Sequence, residues 1–336
     1  MPEGLIMHDE SIPGCLDQDE VTSVRVRDLN FSDIYLGQEE CWLAGFSTGS
    51  DSTLMMPEAA SADAKKLREF CKRYSESTLR EEFTINYDGV TYRVSTIASL
   101  SEVVFVLRRF PDDVPELEKL GIHPMQVRAM LDRNLSGLVV VAGSFGQGKT
   151  TTASAMVKSR LSSFGGIAVT IEDPPEMPLE GRHGKGVCFQ TQTEQGGFGH
   201  ACRQAARWSP SIIFIGEVRD SEAAIEAMKA SVNGRLVICT MHADRVISAI
   251  ERLYGLATSS GTNPDDVSSL LANGLAGVLH QKLEGDPKRI VTEFLWMFGM
   301  DNHGARQLIR TRKFEQLGSE ITLQQNRMKM SGVHRT

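Results

Sequence analysis

A glycine-rich loop that ends in a lysine and two threonines is the first feature of this sequence that could do chemistry. Residues 143–151 read GSFGQGKTT and meet the spacing G-x-x-x-x-G-K-[ST] directly after an apolar run. Glycines let backbone N–H groups close around phosphate oxygens, while the lysine reaches the terminal phosphates and the hydroxyl ligates Mg²⁺. The loop therefore suits a nucleoside triphosphate. The candidate binding residues are Gly143, Ser144, Phe145, Gly146, Gln147, Gly148, Lys149, Thr150 and Thr151, with Thr150 as a metal ligand.

Acidic residues follow two apolar runs downstream of the loop. TIEDPPE places Glu172 and Asp173 after one run, and IIFIGE places Glu217 after another. Phosphoryl transfer to water needs Mg²⁺ and a positioned water, and carboxylates at neighbouring strand ends suit both tasks. Either acid alone could equally cap a helix or lie solvated at a strand end. His242 ends the next run, and its place at the same edge favours function over the commoner role of a core histidine.

The elements that would position these residues alternate between strands and helices. After residue 136 the apolar runs GLVVVAG, GIAVTIED, SIIFIGE and RLVICTMH are separated by helix-compatible sequence. This alternation predicts a mostly parallel sheet covered on both faces, with ligand chemistry at the carboxyl ends of its strands. After residue 244 the pattern predicts helices, one of them through DDVSSLLANGLAGVLHQKL, and a single strand at RIVTEFLWMF.

The preceding part of the chain predicts a separate, smaller α/β unit. Strand-like pieces flank one helical candidate, AASADAKKLREFCKRYSE, and a segment with two prolines and several acidic residues follows. The expected divisions are a tail at 1–24, an N-terminal domain at 25–110, a linker at 111–135, a nucleotide-binding domain at 136–325 and a tail at 326–336.

Charge and composition exclude several classes of protein. The formal net charge is -7 and no long basic block occurs, so no direct nucleic-acid binding is expected. No apolar run approaches the roughly 20 residues that span a bilayer, and the N-terminus lacks the plan of a signal peptide. We therefore expect a cytoplasmic protein, or one peripheral to a membrane. The six cysteines form no C-x-x-C pair, which argues against a zinc site or a disulfide framework.

The order of these segments resembles that of the secretion ATPase superfamily, which includes pilus-retraction and pilus-assembly motors, type II secretion ATPases and type IV secretion traffic ATPases. The resemblance runs from about residue 28 to 325. Its motifs are SDIYL, the loop at 143–150 as Walker A, TIEDPPE as the Asp box, CRQAARWSPSIIFIGEVRD ending in Walker B, NGRLVICTMHA as the His box, and then LAGVLHQKL and ARQLIRTRKFEQLGSEI. Four boxes in order at family-like spacing make it highly specific.

The resemblance implies a PAS-like N-terminal domain, a flexible linker and a RecA-like C-terminal domain, assembled as a hexameric ring that uses ATP and Mg²⁺. It also implies a role for each matching residue. Lys149 and Thr150 hold phosphate and Mg²⁺, Glu172 is the general base, Glu217 supports Mg²⁺ through water, and His242 senses the γ-phosphate. The implied arginines are Arg203 and Arg207 before Walker B, and Arg93 and Arg108 in the N-terminal domain, with Arg109 as a neighbouring alternative to Arg108.

Two positions of the loop depart from the family pattern. Phe145 and Gln147 stand where the family usually carries threonine and serine, although the glycines are intact. No tetracysteine element is present in the sequence, which argues against a typical type II secretion ATPase.

The implied function is that of a motor ATPase for type IV secretion, conjugation or a thin pilus at the bacterial inner membrane. Its expected partners are platform or secretion-channel proteins, through which it would associate peripherally with the membrane. The alternative within the superfamily is a type IV pilus-retraction ATPase. A RecA-like DNA translocase is disfavoured by the acidic balance. A nonhydrolytic, nucleotide-gated assembly protein is disfavoured by the presence of both Glu172 and Glu217.

Overall fold

The computed structural model describes residues 24–45, 53–193, 196–298 and 302–332, and its contacts divide the chain into two units. The first unit comprises Met1–Asp112 with Pro174–Pro178, and the second comprises Asp113–Asp173 with Leu179–Thr336. The tail expected at 1–24 lies almost wholly outside the described residues. No helix in these four ranges is long and apolar enough to cross a membrane.

The first unit is an antiparallel sheet packed against one long helix. Helix α1 (Glu58–Thr78) buries Leu67 and Cys71 in one core with sheet residues such as Phe83, whose ring stacks on Tyr74 with centroids 4.8 Å apart. The sheet order is β3-β2-β1-β6-β5-β4. Its strands are β1 (Asp33–Leu36), β2 (Cys41–Ala44), β3 (Leu54–Met55), β4 (Glu82–Tyr87), β5 (Val90–Ala98) and β6 (Val103–Arg109).

The second unit contains a sheet of eight strands in the order β14-β13-β7-β12-β11-β8-β10-β9. All pairs from β13 to β10 are parallel, and the two outermost pairs are antiparallel. Every residue of β7 and β11 is buried, as expected for parallel strands covered on both faces. The strands are β7 (Gly137–Gly143), β8 (Gly166–Ile171), β9 (Gly181–His183), β10 (Gly186–Phe189), β11 (Ile212–Ile215), β12 (Leu236–His242), β13 (Leu275–Glu284) and β14 (Arg289–Trp296).

Helices follow the strands of this sheet and cover it. Helix α5 begins where the side chain of Asp220 accepts a hydrogen bond from Ala223 N, and α7 begins with Asn263 as cap and Pro264 in its first turn. These helices are α2 (Pro124–Met130), α3 (Lys149–Phe164), α4 (Phe198–Arg207), α5 (Ser221–Val232), α6 (Val246–Ser259), α7 (Pro264–Gly274), α8 (His303–Arg310) and α9 (Gly318–Gly332).

The segment LAGVLHQKL forms strand β13, so the prediction that it continues a helix is wrong. Helix α7 ends at Gly274, and the next seven residues are all buried between β7 and β14. A short run that is buried all round has no period to distinguish strand from helix. Gly277 lies against the ring of Trp296, where a Cβ atom would come within 2.3 Å of a ring carbon. Packing within the sheet, rather than local pattern, determines this strand.

The segment expected to be a linker at 111–135 packs against the second unit from residue 113 onward. Leu117 is fully buried, and its N–H donates to Ser159 Oγ of α3 at 3.3 Å. Arg160 of the same helix donates to the carbonyl oxygens of Met130 and Asp132, both at 2.8 Å. At the other end of the chain, α9 continues to Gly332 through most of the tail expected at 326–336.

Candidate nucleotide-binding site

The loop between β7 and α3 has the backbone that phosphate binding requires. Gly146 and Gly148 have φ angles of 70° and 75°, a region that residues with a Cβ atom rarely adopt. At Gly143 a Cβ atom would lie 2.6 Å from the carbonyl oxygen of Gln281, so that glycine permits a close approach to β13. Helix α3 begins at Lys149 and points the positive end of its dipole into the loop. The residues present therefore fit a nucleotide phosphate chain.

The side chains of the loop divide between its outer and inner sides. Phe145 at the crest is 85% exposed. Lys149 Nζ donates to the carbonyl oxygen of Ser144 at 2.9 Å, which keeps the ammonium group at the mouth of the loop. Thr150 and Thr151 are partly exposed in the first turn of α3. A phosphate oxygen bound in the loop would compete with the Ser144 carbonyl as an acceptor for Lys149.

The three strands on one side of β7 bring His242, Glu217 and Glu172 to one edge of the sheet. The order β7-β12-β11-β8 places the ends of these strands side by side, and His242 of β12 is the direct partner of Gly143 in the ladder. Glu172 directly follows β8, and Glu217 follows β11 after one glycine. The sheet thus brings together the groups that the sequence predicted at neighbouring strand ends.

Glu172 lies in a buried position and Glu217 in a more open one. The side chain of Glu172 accepts a hydrogen bond from Gln190 Nε2 at 2.9 Å, and the residue is 1% exposed. Gly216 permits this packing, because a Cβ atom there would lie 3.1 Å from Glu172 Cγ. The side chain of Glu217 is 27% exposed and pairs with Arg219 at 2.8 Å. The carboxylate of Glu172 is therefore enclosed by protein, whereas that of Glu217 is partly open to solvent.

The arginines are less closely associated with this edge. Arg203 pairs with Glu222 and Glu226 of α5, both at 3.7 Å, and Arg207 is exposed at the end of α4. Among the ion pairs of the described residues, none joins either arginine to Glu172 or Glu217. Their predicted part in catalysis stays a prediction.

Arg93 and Arg108 belong to the first unit and have acidic partners within it. Arg93 pairs with Glu82 and Glu176, both at 3.2 Å. The Nε of Arg108 donates to Asp33 at 2.7 Å, and this hydrogen bond raises the pKa of the Arg108 guanidinium.

Arg109 is bound differently, because its guanidinium donates to the backbone carbonyls of Arg27 and Leu29, at 2.8 and 3.4 Å. Arg108, whose side chain is 66% exposed, is therefore the freer of the two neighbours.

Sequence reasoning missed three residues that support this edge. Gln190 holds Glu172, the hydroxyl of Thr240 donates to the carbonyl of Gly216, and Gln281 donates to the loop. Thr240 and Gln281 lie within the segments NGRLVICTMHA and LAGVLHQKL, but the resemblance assigns no role to either, and Gln190 lies in no motif. The sequence predicts a helix through Gln281, whereas its contact with the loop depends on its place in strand β13.

Comparison with known proteins identifies the family. Residues 77–310 match the family described as type II/IV secretion system protein. The uncharacterized protein YggR of Escherichia coli K12 is 30% identical over 273 residues, which are 77% of this chain and 81% of YggR. The type IV pilus ATPase PilU of Pseudomonas aeruginosa is 32% identical over 220 residues, 63% of this chain but only 56% of PilU.

A solved structure agrees with this assignment. The pilus retraction motor PilT with bound ADP superposes with a TM-score of 0.73 at 26% identity, over 88% of this chain and 87% of that one. The α/β fold expected from the sequence, an N-terminal domain followed by a RecA-like P-loop domain, is confirmed. The chain belongs to the family of type II/IV secretion ATPases.

Proposed function

We propose that this chain hydrolyses ATP at the loop 143–151 and works as a ring-forming motor. The observation that supports this most is the placement of Glu172, Glu217 and His242 at adjacent strand ends beside one phosphate-binding loop. The buried Glu172 is the general base for water, because Gln190 fixes its carboxylate and the surrounding protein limits its movement. His242 lies beside Gly143, where it can respond to the terminal phosphate.

The loop 143–151 and the start of α3 supply most of the contacts to the nucleotide phosphates. Backbone N–H groups of the loop and the N-terminus of α3 hold the phosphates, and Lys149 neutralises their charge. Thr150 and, through water, Glu217 are the protein groups that would hold Mg²⁺. When bound, Mg²⁺ neutralises charge that develops on the phosphates.

Replacement of Lys149 by alanine tests the nucleotide chemistry. Lys149→Ala should abolish Mg²⁺-dependent phosphate release, because it removes the charge held against the β- and γ-phosphates. Phosphate release should be measured on purified protein with its oligomeric state checked. An exposed lysine of α1, changed as Lys72→Ala, is the matched control. Undiminished turnover in the Lys149→Ala protein would contradict the proposed site.

The likeness to PilU and to the PilT structure favours a type IV pilus-retraction ATPase over the type IV secretion, conjugation or thin-pilus motor that we expected first. We propose that the chain acts in the cytoplasm, peripheral to the inner membrane, and binds platform proteins of such a machine.

The same Lys149→Ala change, introduced on the chromosome, distinguishes a retraction motor from an assembly or secretion motor. Loss of a retraction motor leaves surface pili that no longer shorten, whereas loss of an assembly or secretion motor leaves no pili or no exported cargo.

A further inference from the structure

Strand β13 extends past the point where its neighbour β7 ends. The two strands are paired up to His280, which lies opposite Ala142, and β7 then turns into the loop at Gly143. Residues 281–284 of β13 stay paired with β14 on one edge, and on the opposite edge they lie beside the loop instead of beside β7. A strand edge without a neighbouring strand presents unpaired N–H and C=O groups. On this stretch the loop itself takes the place of the missing strand.

Gln147 makes two contacts with that edge, one through its side chain and one through its backbone. Its Oε1 accepts a hydrogen bond from Leu283 N at 2.6 Å, and its carbonyl oxygen accepts one from Gln281 Nε2 at 2.6 Å. Gln281 is fully buried, so its amide has little freedom to move. The Gln281 amide nitrogen must face the Gln147 carbonyl oxygen, because exchanging Nε2 and Oε1 would place two oxygen atoms against each other.

The glycine that follows Gln147 is required by its backbone conformation. Gly148 has a φ angle of 75°, and a Cβ atom there would only touch Gln281 Nε2, at 3.4 Å. The loop is therefore bound at Gln147 to the end of β13. The side chain of Gln147 makes one of the two hydrogen bonds, and its backbone carbonyl makes the other. A serine at this position, as in the usual family pattern, is too short to reach Leu283 N in this way.

We propose that Gln147 is a positioning residue which, together with Gln281, holds the phosphate-binding loop against β13 in the shape that accepts nucleotide. The inference rests on the proposed nucleotide site and adds a determinant of its affinity. The side chain of Gln147 points to β13 and does not serve as a phosphate ligand. Its hydrogen bond to Leu283 N involves no group of the nucleotide, so it orders the loop independently of phosphate binding.

This arrangement predicts which kinetic quantity changes when the bond is lost. A pre-ordered loop strengthens the binding of ADP and ATP alike, and it contributes equally to the ground state and the transition state. Loss of such an interaction raises KM and leaves kcat almost unchanged. A role confined to folding would lower thermal stability and leave nucleotide affinity unchanged.

The variant that tests the inference is Gln147→Met, which keeps side-chain length and removes the acceptor for Leu283 N. We expect the Kd for Mg-ADP and the KM for ATP to rise about three- to tenfold, the usual effect of one lost hydrogen bond. We expect kcat at saturating ATP to stay within about twofold. Kd should be measured by calorimetry or with a fluorescent ADP analogue, beside a melting curve. Gln316→Met changes an exposed glutamine far along the chain and is the control.

A second variant tests whether the two hydrogen bonds act together. Gln281→Met removes the other donor, and in the double variant the Kd should rise by less than the product of the two single effects, because either loss already frees the loop. An unchanged Kd in Gln147→Met, with wild type binding and hydrolysing normally, would overturn the inference alone. Failure of the wild type to bind nucleotide would instead overturn the proposed function. If the effects of the two substitutions on Kd multiply fully, the two hydrogen bonds act independently, which contradicts their joint role.

Discussion

Glu172 and Glu217 lie at the ends of neighbouring strands but in different surroundings. Glu172 is 1% exposed and accepts a hydrogen bond from Gln190, whereas the side chain of Glu217 is 27% exposed and pairs with Arg219. A general base has to be held in one position relative to water, and a group that supports a metal through water needs access to solvent. These surroundings favour Glu172 as the base.

The two glutamates should therefore respond differently to replacement by glutamine. Glu172→Gln should still bind Mg-ATP, because the new amide oxygen can still accept from Gln190 Nε2, but its hydrolysis should fall roughly a hundredfold or more. Glu217→Gln should weaken Mg-ATP binding as well as turnover. Equilibrium binding and single-turnover hydrolysis separate these effects. A Glu217→Gln protein that binds normally and does not hydrolyse would exchange the two roles.

At the scale of elements, the sequence predicts those parts whose local pattern and tertiary environment agree. The strands β7, β8, β11 and β12 are apolar runs that end in glycine or polar residues, and the structure contains all four. Strand β13 follows a helix without a break in apolar pattern, so its neighbours β7 and β14 decide its conformation. The contacts that support the site from such elements, those of Gln281 above all, are set by the tertiary fold, and the segment LAGVLHQKL does not indicate which of its residues contacts the loop.

Helix α3 connects the phosphate-binding loop to the segment that precedes the sheet. Arg160 is 6% exposed, and its guanidinium binds two backbone carbonyls in that segment, those of Met130 and Asp132. Burial lowers the pKa of Arg160 to about 10, which reflects the cost of placing this charge away from water. Its guanidinium is the only described side-chain group that donates to these two carbonyls, and these hydrogen bonds offset part of that cost.

Replacement of Arg160 should destabilise the second unit more than the loss of an ordinary surface charge. Arg160→Met keeps helix propensity, leaves the Met130 carbonyl without its side-chain donor and leaves the Asp132 carbonyl with Leu135 N alone, so we expect the free energy of unfolding to fall by about 1–3 kcal/mol. Denaturant titration followed by circular dichroism measures this change. Arg252→Met, at an exposed position of α6, provides the comparison and should change stability by less than about 0.5 kcal/mol. Equal effects of the two substitutions would mean that the segment is held by apolar packing alone.

At the scale of the whole molecule, the sequence indicates two units, and each has its own core in the structure. In the ring that we propose, a neighbouring subunit can supply positive charge to the nucleotide. Arg108 pairs with Asp33 through a side chain that is 66% exposed, and such a surface pair contributes only about 0–1 kcal/mol. An arginine supplied to a transferring phosphoryl group can increase hydrolysis about a thousandfold or more. The ion pair is thus too weak to prevent Arg108 from serving a nucleotide.

We therefore expect Arg108 to complete a nucleotide site in a neighbouring subunit of a ring. Arg108→Ala alone should be nearly inactive, whereas Arg73→Ala, at a side chain 71% exposed in the same unit, should hydrolyse normally. Mixing inactive Lys149→Ala subunits with inactive Arg108→Ala subunits should rebuild some complete sites and recover ATPase activity, because each protein supplies what the other lacks. Co-purification through a tag on one variant must first show that mixed rings form. Mixed rings that stay inactive at every ratio would contradict an arginine supplied between subunits, and near-normal turnover of Arg108→Ala alone would make Arg108 a surface residue paired only with Asp33.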